Sequence, residues 1–300
     1  MIKHLLRYLK PNPLNQKLKL LKKNRKHRIA IFWNRGLGDI PLGLYGLVKR
    51  IREYVPYANI TFFVRDDLKD GFLLLNEGET IVVPSWRRGQ LINVYETFKE
   101  TGFETSDFDL VLDKADPTRW LFNQIGRLTP RLKWSSQDDA LANPFRLPQA
   151  CLGVHVHSET VYGYEKNWSS KNFHQLFQEW PKNSSLPIIL FGFEVKETFD
   201  YPHVIDLRGK TSFKEMLSII KNHCSHLLVP DSGILSTIYY LDIPFYLKVV
   251  SLWADPNQGV LRQKVKSPNS LLRHIHLIGK KEQINTITVK EVINALTTNE

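Results

Sequence analysis

Residues 28–54 read RIAIFWNRGLGDIPLGLYGLVKRIREY, and this stretch decides the architecture. After Arg28 come five apolar residues in a row, Ile29 to Trp33. A run with no polar alternation suits a strand covered on both faces, as in the parallel sheets of α/β proteins. A turn follows, Asn34-Arg35-Gly36-Leu37-Gly38-Asp39, and then a helical pattern to about residue 54. Strand, glycine turn and helix together place backbone N–H groups at the carboxyl end of a strand, where open α/β sheets bind ligands. The turn is not the dinucleotide fingerprint, because Pro41 and Leu42 stand where its last glycine would fall; this argues against a nicotinamide oxidoreductase. Asp39 is placed to cap the helix, and Pro41 suits its first turn. A carboxylate there can also accept a proton, so capping and catalysis are compatible roles.

Working outward, strand-like and helix-like stretches keep alternating. Residues 59–64, 79–83 and 108–112 read as strands and 92–101 as a helix. The stretch 135–149 is polar, contains Pro144 and Pro148, and reads as a linker. A second series then begins, with strands at 152–156, 187–191, 203–206, 226–229 and 244–250. Helices are expected at 171–180, 212–222 and 232–241, the second opened by a capping box of Ser212 and Glu215. The expected fold is therefore α/β, with two Rossmann-like domains facing a cleft, each a parallel sheet flanked by helices. The expected boundaries are a basic leader over 1–27, a first domain over 28–145 and a second over 146–300.

A chain of 300 residues is long enough for two such domains. Its two cysteines, Cys151 and Cys224, lie far apart in sequence with no metal-ligand spacing. That suits a reducing compartment and neither a disulfide framework nor a zinc site. No window approaches the roughly 20 apolar residues of a membrane span, and no secretory signal is visible, so the expected location is the cytoplasm. The net charge of +11 is concentrated at one end. Lys3, Arg7, Lys10, Lys17, Lys19, Lys22, Lys23, Arg25, Lys26 and Arg28 precede the first acidic residue, Asp39. Interleaved with leucines and split by Pro11 and Pro13, this leader suits an anionic lipid surface, a nucleic acid or plain solvation. A membrane surface is the expected partner, in a peripheral position on the inner membrane; nucleic acid is not expected.

Two further groups of residues carry possible chemistry. Lys166-Asn167-Trp168 falls in the loop after the first strand of the second series, where a lysine can be merely solvated or can neutralise a diphosphate leaving group. His155, His157, Ser158 and Thr160 lie nearby and offer imidazoles and hydroxyls to the same phosphates. The histidines do not have the spacing of a metal site, and no metal is expected. Pro230-Asp231-Ser232-Gly233 sits at a strand-to-helix junction. Its carboxylate can hold sugar hydroxyls and its amides phosphate oxygens, or the segment can simply cap a helix.

Taken together, RGLGDIPLGL (35–44), EKNWSSKNFHQL (165–176), FGFEVKE (191–197), DLRGKTSFKEMLSII (206–220) and VPDSGILSTIYYLDIP (229–244) resemble glycosyltransferase family nine. These are the ADP-heptose transferases of lipopolysaccharide core synthesis, with the GT-B fold, and the resemblance covers about residues 28–250. It implies an inverting transfer, independent of metal and needing no cofactor, from a nucleotide sugar to an acceptor hydroxyl. ADP-heptose is the favoured donor and an anionic glycolipid the acceptor. Asp39, in the Gly36/Gly38 turn, would be the general base. Lys166 with Ser158 or Thr160 would hold the departing diphosphate. Glu194 would face the nucleotide, and Asp231, Ser232 and Gly233 the donor sugar and phosphate. The chain departs from the family at Ser236, where a histidine is usual, and in YLKVVSLWADPNQG (246–259), which lacks a Phe-Gly turn. A UDP-hexose or UDP-N-acetylhexosamine transferase of the same fold is the first alternative. A catalytically silent GT-B module that binds a glycan or a protein is the second.

Overall fold

The computed structural model describes residues 13–114, 124–159 and 165–298, and the chain divides into two compact units, 1–124 and 125–300. The first opens with helix α1 (Pro13–Lys23). Strands β1 (Arg28–Trp33), β2 (Asn59–Val64), β3 (Glu79–Val82) and β4 (Leu110–Leu112) follow, in the sheet order β3-β2-β1-β4. All three pairings are parallel. In β1 and β2 the first residue is exposed and the next five are buried, so RIAIFW and NITFFV have no wet face to alternate with. Phe32 stacks on Phe63 at 4.8 Å between ring centroids, and Phe98 meets both rings edge-on.

Helix α2 (Tyr45–Tyr54) is reached through a wide turn, Ile40–Leu44, in which the Tyr45 N–H reaches back to the Ile40 carbonyl. Widening a turn disrupts the regular ladder of backbone bonds. The fully buried Gln124 is inserted there: its Nε2 donates to the Pro41 carbonyl at 2.7 Å, and its Oε1 accepts the Gly46 N–H at 3.1 Å. Helices α3 (Lys69–Leu75) and α4 (Val94–Thr101) complete the described part of this unit.

The second unit holds β5 (Cys151–His155), β6 (Ile188–Phe191), β7 (Val204–Asp206), β8 (Cys224–Pro230), β9 (Leu247–Trp253) and β10 (Leu272–Ile278). Their order is β10-β9-β8-β5-β6-β7, again parallel throughout. The chain builds outward from β5 to β7, then returns and builds the other way from β8. This reversal between β5 and β8 is a topological switch point, and the first sheet has its own between β1 and β4. Helices α5 (Ser170–Glu179), α6 (Phe213–His223), α7 (Gly233–Tyr239), α8 (Gly259–Gln263) and α9 (Val289–Thr297) accompany the sheet. Trp168, Phe173, Phe177, Phe199, Ile293 and Leu296 share a core with the buried residues of β5 and β6. The Ser212/Glu215 capping box forms in both directions at the start of α6. Cys151 and Cys224 are register partners across β5 and β8, both free and buried, and burial pushes the Cys151 thiol up to about 11.

Several expectations change. The polar stretch 135–149 is structured: Ser135 opens a 3₁₀ run, Ser136–Phe145, that lies along α6. Lys214 pairs with Asp138 at 2.8 Å, Lys221 with Asp139 at 2.8 Å, and Ser218 donates to the Asp139 carbonyl at 3.0 Å. These bonds make it part of the second unit, which begins at 125 instead of 146. The strand expected at 244–250 starts at Leu247, because the Asn269 side chain bonds both the N–H and the carbonyl of Phe245 and holds that residue out of the ladder. α3, α8, β10 and α9 were not anticipated. The leader is no mere tether from residue 13 onward: Leu18 is 0% and Leu21 5% exposed, and Arg50 Nε donates to Asn15 Oδ1 at 3.0 Å.

Two stability predictions follow from burial. Leu18→Ala is expected to destabilise the protein by about 2–5 kcal/mol, read from urea unfolding. Leu20→Ala, at an exposed site on the same helix, should stay within about 0.5 kcal/mol. If Leu18→Ala unfolds at the wild-type midpoint, α1 is not part of the core.

Burial also depresses two histidines from the ordinary 6.5, His155 to about 3 and His274 to about 4. Each binds its proton less readily folded than unfolded, so its contribution is complete above pH 6.5 and is lost as pH falls toward the folded value. Unfolding midpoints are therefore expected to drop between pH 6.5 and 4, at up to about 1.4 kcal/mol per pH unit for each histidine. His155→Gln should flatten that slope. Parallel curves for variant and wild type would sink the assignment.

Candidate functional site

In the first unit, the turn after β1 carries Gly36, Gly38 and Asp39 at the switch point of the sheet. Asp39 does not cap the helix. Its own backbone is already helical, φ −72° and ψ −13°, and a side chain on a helix leans toward the N-terminus. The carboxylate accordingly turns back and accepts the Gly36 N–H on Oδ2 at 3.1 Å. The Gly38 carbonyl accepts the Leu42 N–H at 3.2 Å, and Pro41 occupies the first turn as expected.

The turn is braced from beneath by residues the sequence did not single out. Arg65, 4% exposed at the end of β2, donates to the Asn34 Oδ1 and, at 3.3 Å, to the Arg35 carbonyl. Asp67 holds the same guanidinium at 2.8 Å. Asn34 Nδ2 in turn donates to the Arg87 and Gln90 carbonyls at 3.1 and 3.0 Å. An arginine directly after five buried strand residues was the available signal.

In the second unit, the structure brings Lys166 and Asp231 together. Lys166, in the loop after β5, donates from Nζ to Asp231 Oδ2, at the end of β8, over 2.7 Å. The pair thus spans the switch point between β5 and β8, with side chains only 15% and 10% exposed. Burial pushes the Asp231 carboxyl above its ordinary range, against the pull of the Lys166 ammonium. Lys166 is held by its neighbours. Trp168 is 3% exposed and donates to the Ile287 carbonyl at 2.9 Å. Asn167 brackets the Ser158 backbone, accepting its N–H at 2.7 Å and donating to its carbonyl at 2.9 Å. Thr160 lies outside the described residues.

Ser232 performs the capping that Asp231 does not, accepting the Leu235 N–H at 3.2 Å, and Gly233 is the first residue of α7. Ser236 donates to the Ser232 carbonyl of its own helix at 3.1 Å and is 2% exposed. Gly259, which the sequence did not mark, closes on the carboxylate. A β-carbon there would stand 2.5 Å from Asp231 Oδ1 and 2.8 Å from the Trp253 ring, and its φ of +48° favours glycine. The stretch lacking a Phe-Gly turn was the place to look.

Glu194 lies apart from the pair, on a groove of about 530 Å³ lined also by His157, Asn167, Lys196, Glu197 and Arg208. Its carboxylate is 3.5 Å from Lys196 Nζ, which stands 2.8 Å from His157 Nε2. Burial first, and then the Lys196 charge, hold His157 below its ordinary pKa. Arg208, 3% exposed, is fixed by Asp206 and by the Glu197 carbonyl at 2.7 Å, so the groove has a rigid cationic wall. No group of three or more His, Cys, Asp or Glu side chains is arranged to hold a metal among the described residues. No helix among them is long and apolar enough to cross a membrane.

No protein-family model and no curated protein sequence matches this chain. Solved structures do. The E. coli ADP-heptose lipopolysaccharide heptosyltransferase II superposes with a TM-score of 0.60 at 16% identity, over 90% of this chain and 97% of that one. A glycosyltransferase family 9 protein from Veillonella parvula superposes with a TM-score of 0.56 at 15% identity, over 90% of this chain and 95% of that one. At such identities the likeness is one of fold, and it extends across nearly the whole length of both chains.

Proposed function

We propose that this protein is a glycosyltransferase that moves a sugar from a nucleotide sugar to an acceptor hydroxyl, by inversion and without a metal. A heptose carried on ADP is the favoured donor, and a phosphorylated, lipid-linked glycan the acceptor. The observation that carries this reading is the Lys166–Asp231 pair across the β5/β8 switch point, in a fold shared with a heptosyltransferase and a family 9 glycosyltransferase.

Asp39 takes the proton of the acceptor hydroxyl as its oxygen attacks the anomeric carbon. The bond from that carbon to the diphosphate oxygen breaks, and the electron pair leaves with the diphosphate. The Lys166 ammonium, held in place by Asp231, faces the growing negative charge. Glu194, beside the Arg208 wall, takes the nucleoside end of the donor, and Ser158 lines the approach to the phosphates. Asp231 and the Ser232–Gly233 turn contact the donor sugar. Ser236, at the position where the resembled family carries histidine, bonds only its own helix in the described structure. UDP-hexose and UDP-N-acetylhexosamine therefore belong in the donor screen beside ADP-heptose.

Thermal shift and slow donor hydrolysis across such a panel test the reading, and a protein that responds to no nucleotide sugar would leave the silent-module alternative standing. Asp39→Asn is expected to cut transfer by about 10²–10⁴-fold while donor binding persists; near-wild-type turnover would remove Asp39 from the mechanism. Lys166→Met should weaken ADP or UDP binding, measured by titration calorimetry, as well as turnover. Activity is expected to survive EDTA, and loss that magnesium or manganese restores would overturn the metal-independent mechanism.

A further inference from the structure

We propose that α1 and the residues just after it form a docking surface that holds the first unit on an anionic lipid bilayer by charge, without inserting into it. The inference does not rest on the transferase reading. Helix α1 has two sides with different occupations. Leu18 and Leu21 are buried in the first unit, and Asn15 is bonded by Arg50. Lys17, Lys19, Lys22, Lys23 and Arg25 are all exposed. Lys26 and Arg28, by contrast, share Asp109 at 3.8 and 3.4 Å. Among the described residues no ion pair engages the other five, so their charge faces solvent.

The geometry decides what kind of partner fits. An amphipathic helix that inserts in a membrane does so with its apolar face. Here that face is already buried by the protein, and Leu20, 58% exposed, is the one large apolar side chain left outward on the helix. What remains is a patch of lysines on a helix fixed to a folded unit, which attracts anionic headgroups through charge. Helix α1 carries no aromatic side chain and no arginine, and of the five charges only Arg25, after it, is a guanidinium, so the surface offers nothing for bases to stack on and little for direct base readout. Lysines are compact point charges on flexible stems, suited to a fluid array of phosphates. The attachment should therefore grow with the anionic lipid fraction and weaken with salt.

Co-sedimentation of the full-length protein with vesicles tests this. Vesicles of phosphatidylcholine alone are compared with vesicles containing phosphatidylglycerol, at low and high salt. Binding is expected only with phosphatidylglycerol, and mainly at low salt. The double variant Lys19→Glu with Lys23→Glu should lower partitioning by at least about tenfold, since each surface charge contributes about fivefold. Leu20→Ala should bind as the wild type does. Both variants alter exposed side chains, and thermal unfolding checks that they fold. Equal binding to neutral vesicles would overturn the proposal, as would wild-type binding by the double variant. Loss of binding on Leu20→Ala would show insertion instead. Tighter binding to a single-stranded RNA oligonucleotide than to the anionic vesicles would assign the patch to nucleic acid. None of these outcomes depends on catalytic activity, so failure here is separate from failure of the transferase reading.

Discussion

Both sheets are parallel in every described pairing, and the remaining organisation of this protein depends on that constraint. Parallel strands need crossover connections, usually helical, so both faces of each sheet are covered and the carboxyl ends of all its strands share one edge. Where the order of strand addition reverses, the crossovers on either side lead away from each other and leave a crevice at that edge. In this chain the reversals fall at β1/β4 and at β5/β8. The Asp39 turn follows β1, the Lys166 loop follows β5, and Asp231 ends β8. Topology alone puts these residues at the sheet edge where open α/β folds generally bind ligands.

The energetics of the Lys166–Asp231 pair point the same way. Two largely buried charges gain little net stability from each other, because desolvation offsets most of their attraction. Burial outweighs Lys166 in setting the Asp231 carboxyl, which stays raised. The supporting structure is nonetheless extensive. Trp168 is tied to the Ile287 carbonyl, Asn167 clamps the Ser158 backbone, and Gly259 leaves room for the carboxylate. So much positioning of a pair that contributes little to folding suits a group that must meet a ligand. The bracing of the first unit follows the same logic, with Arg65 and Asn34 fixing the loop that carries Asp39.

Helix α1 shows how one segment serves the fold and the surface together. Its leucines complete a core while its lysines stay in water, and neither side could be moved without loss to the other. The exposed lysines lie on a scaffold that Leu18 and Leu21 make rigid. A flexible leader of the same composition would carry the same charge with no fixed geometry.

Local chemistry made much of this legible in the sequence. Largely apolar runs such as 29–33 and 60–64 announced parallel strands, because burial on both faces abolishes alternation. The Ser212/Glu215 box announced a helix start, because its hydrogen bonds close within four residues. Glycine turns and the Asp231 junction marked strand ends, and the motifs around Asp39, Lys166, Glu194 and Asp231 pointed to a transferase fold. Other features depend on partners distant in the chain, and only the tertiary structure decided them. Asp39 bonds Gly36 instead of capping, because its backbone is already helical. The stretch 135–149 belongs to the second unit because lysines of α6 reach it. Phe245 is kept from its strand by Asn269, and Gln124 repairs a turn some 80 residues earlier. Lys166 meets Asp231 across 65 positions. The sequence by itself determined most of the strands and helices of the two sheets, though not α3, α8, β10 or α9, and where the motifs lie along the chain. Which charge neutralises which, and which polar group is satisfied by which, awaited the fold, because those pairings are set by distance in space and not by separation in sequence.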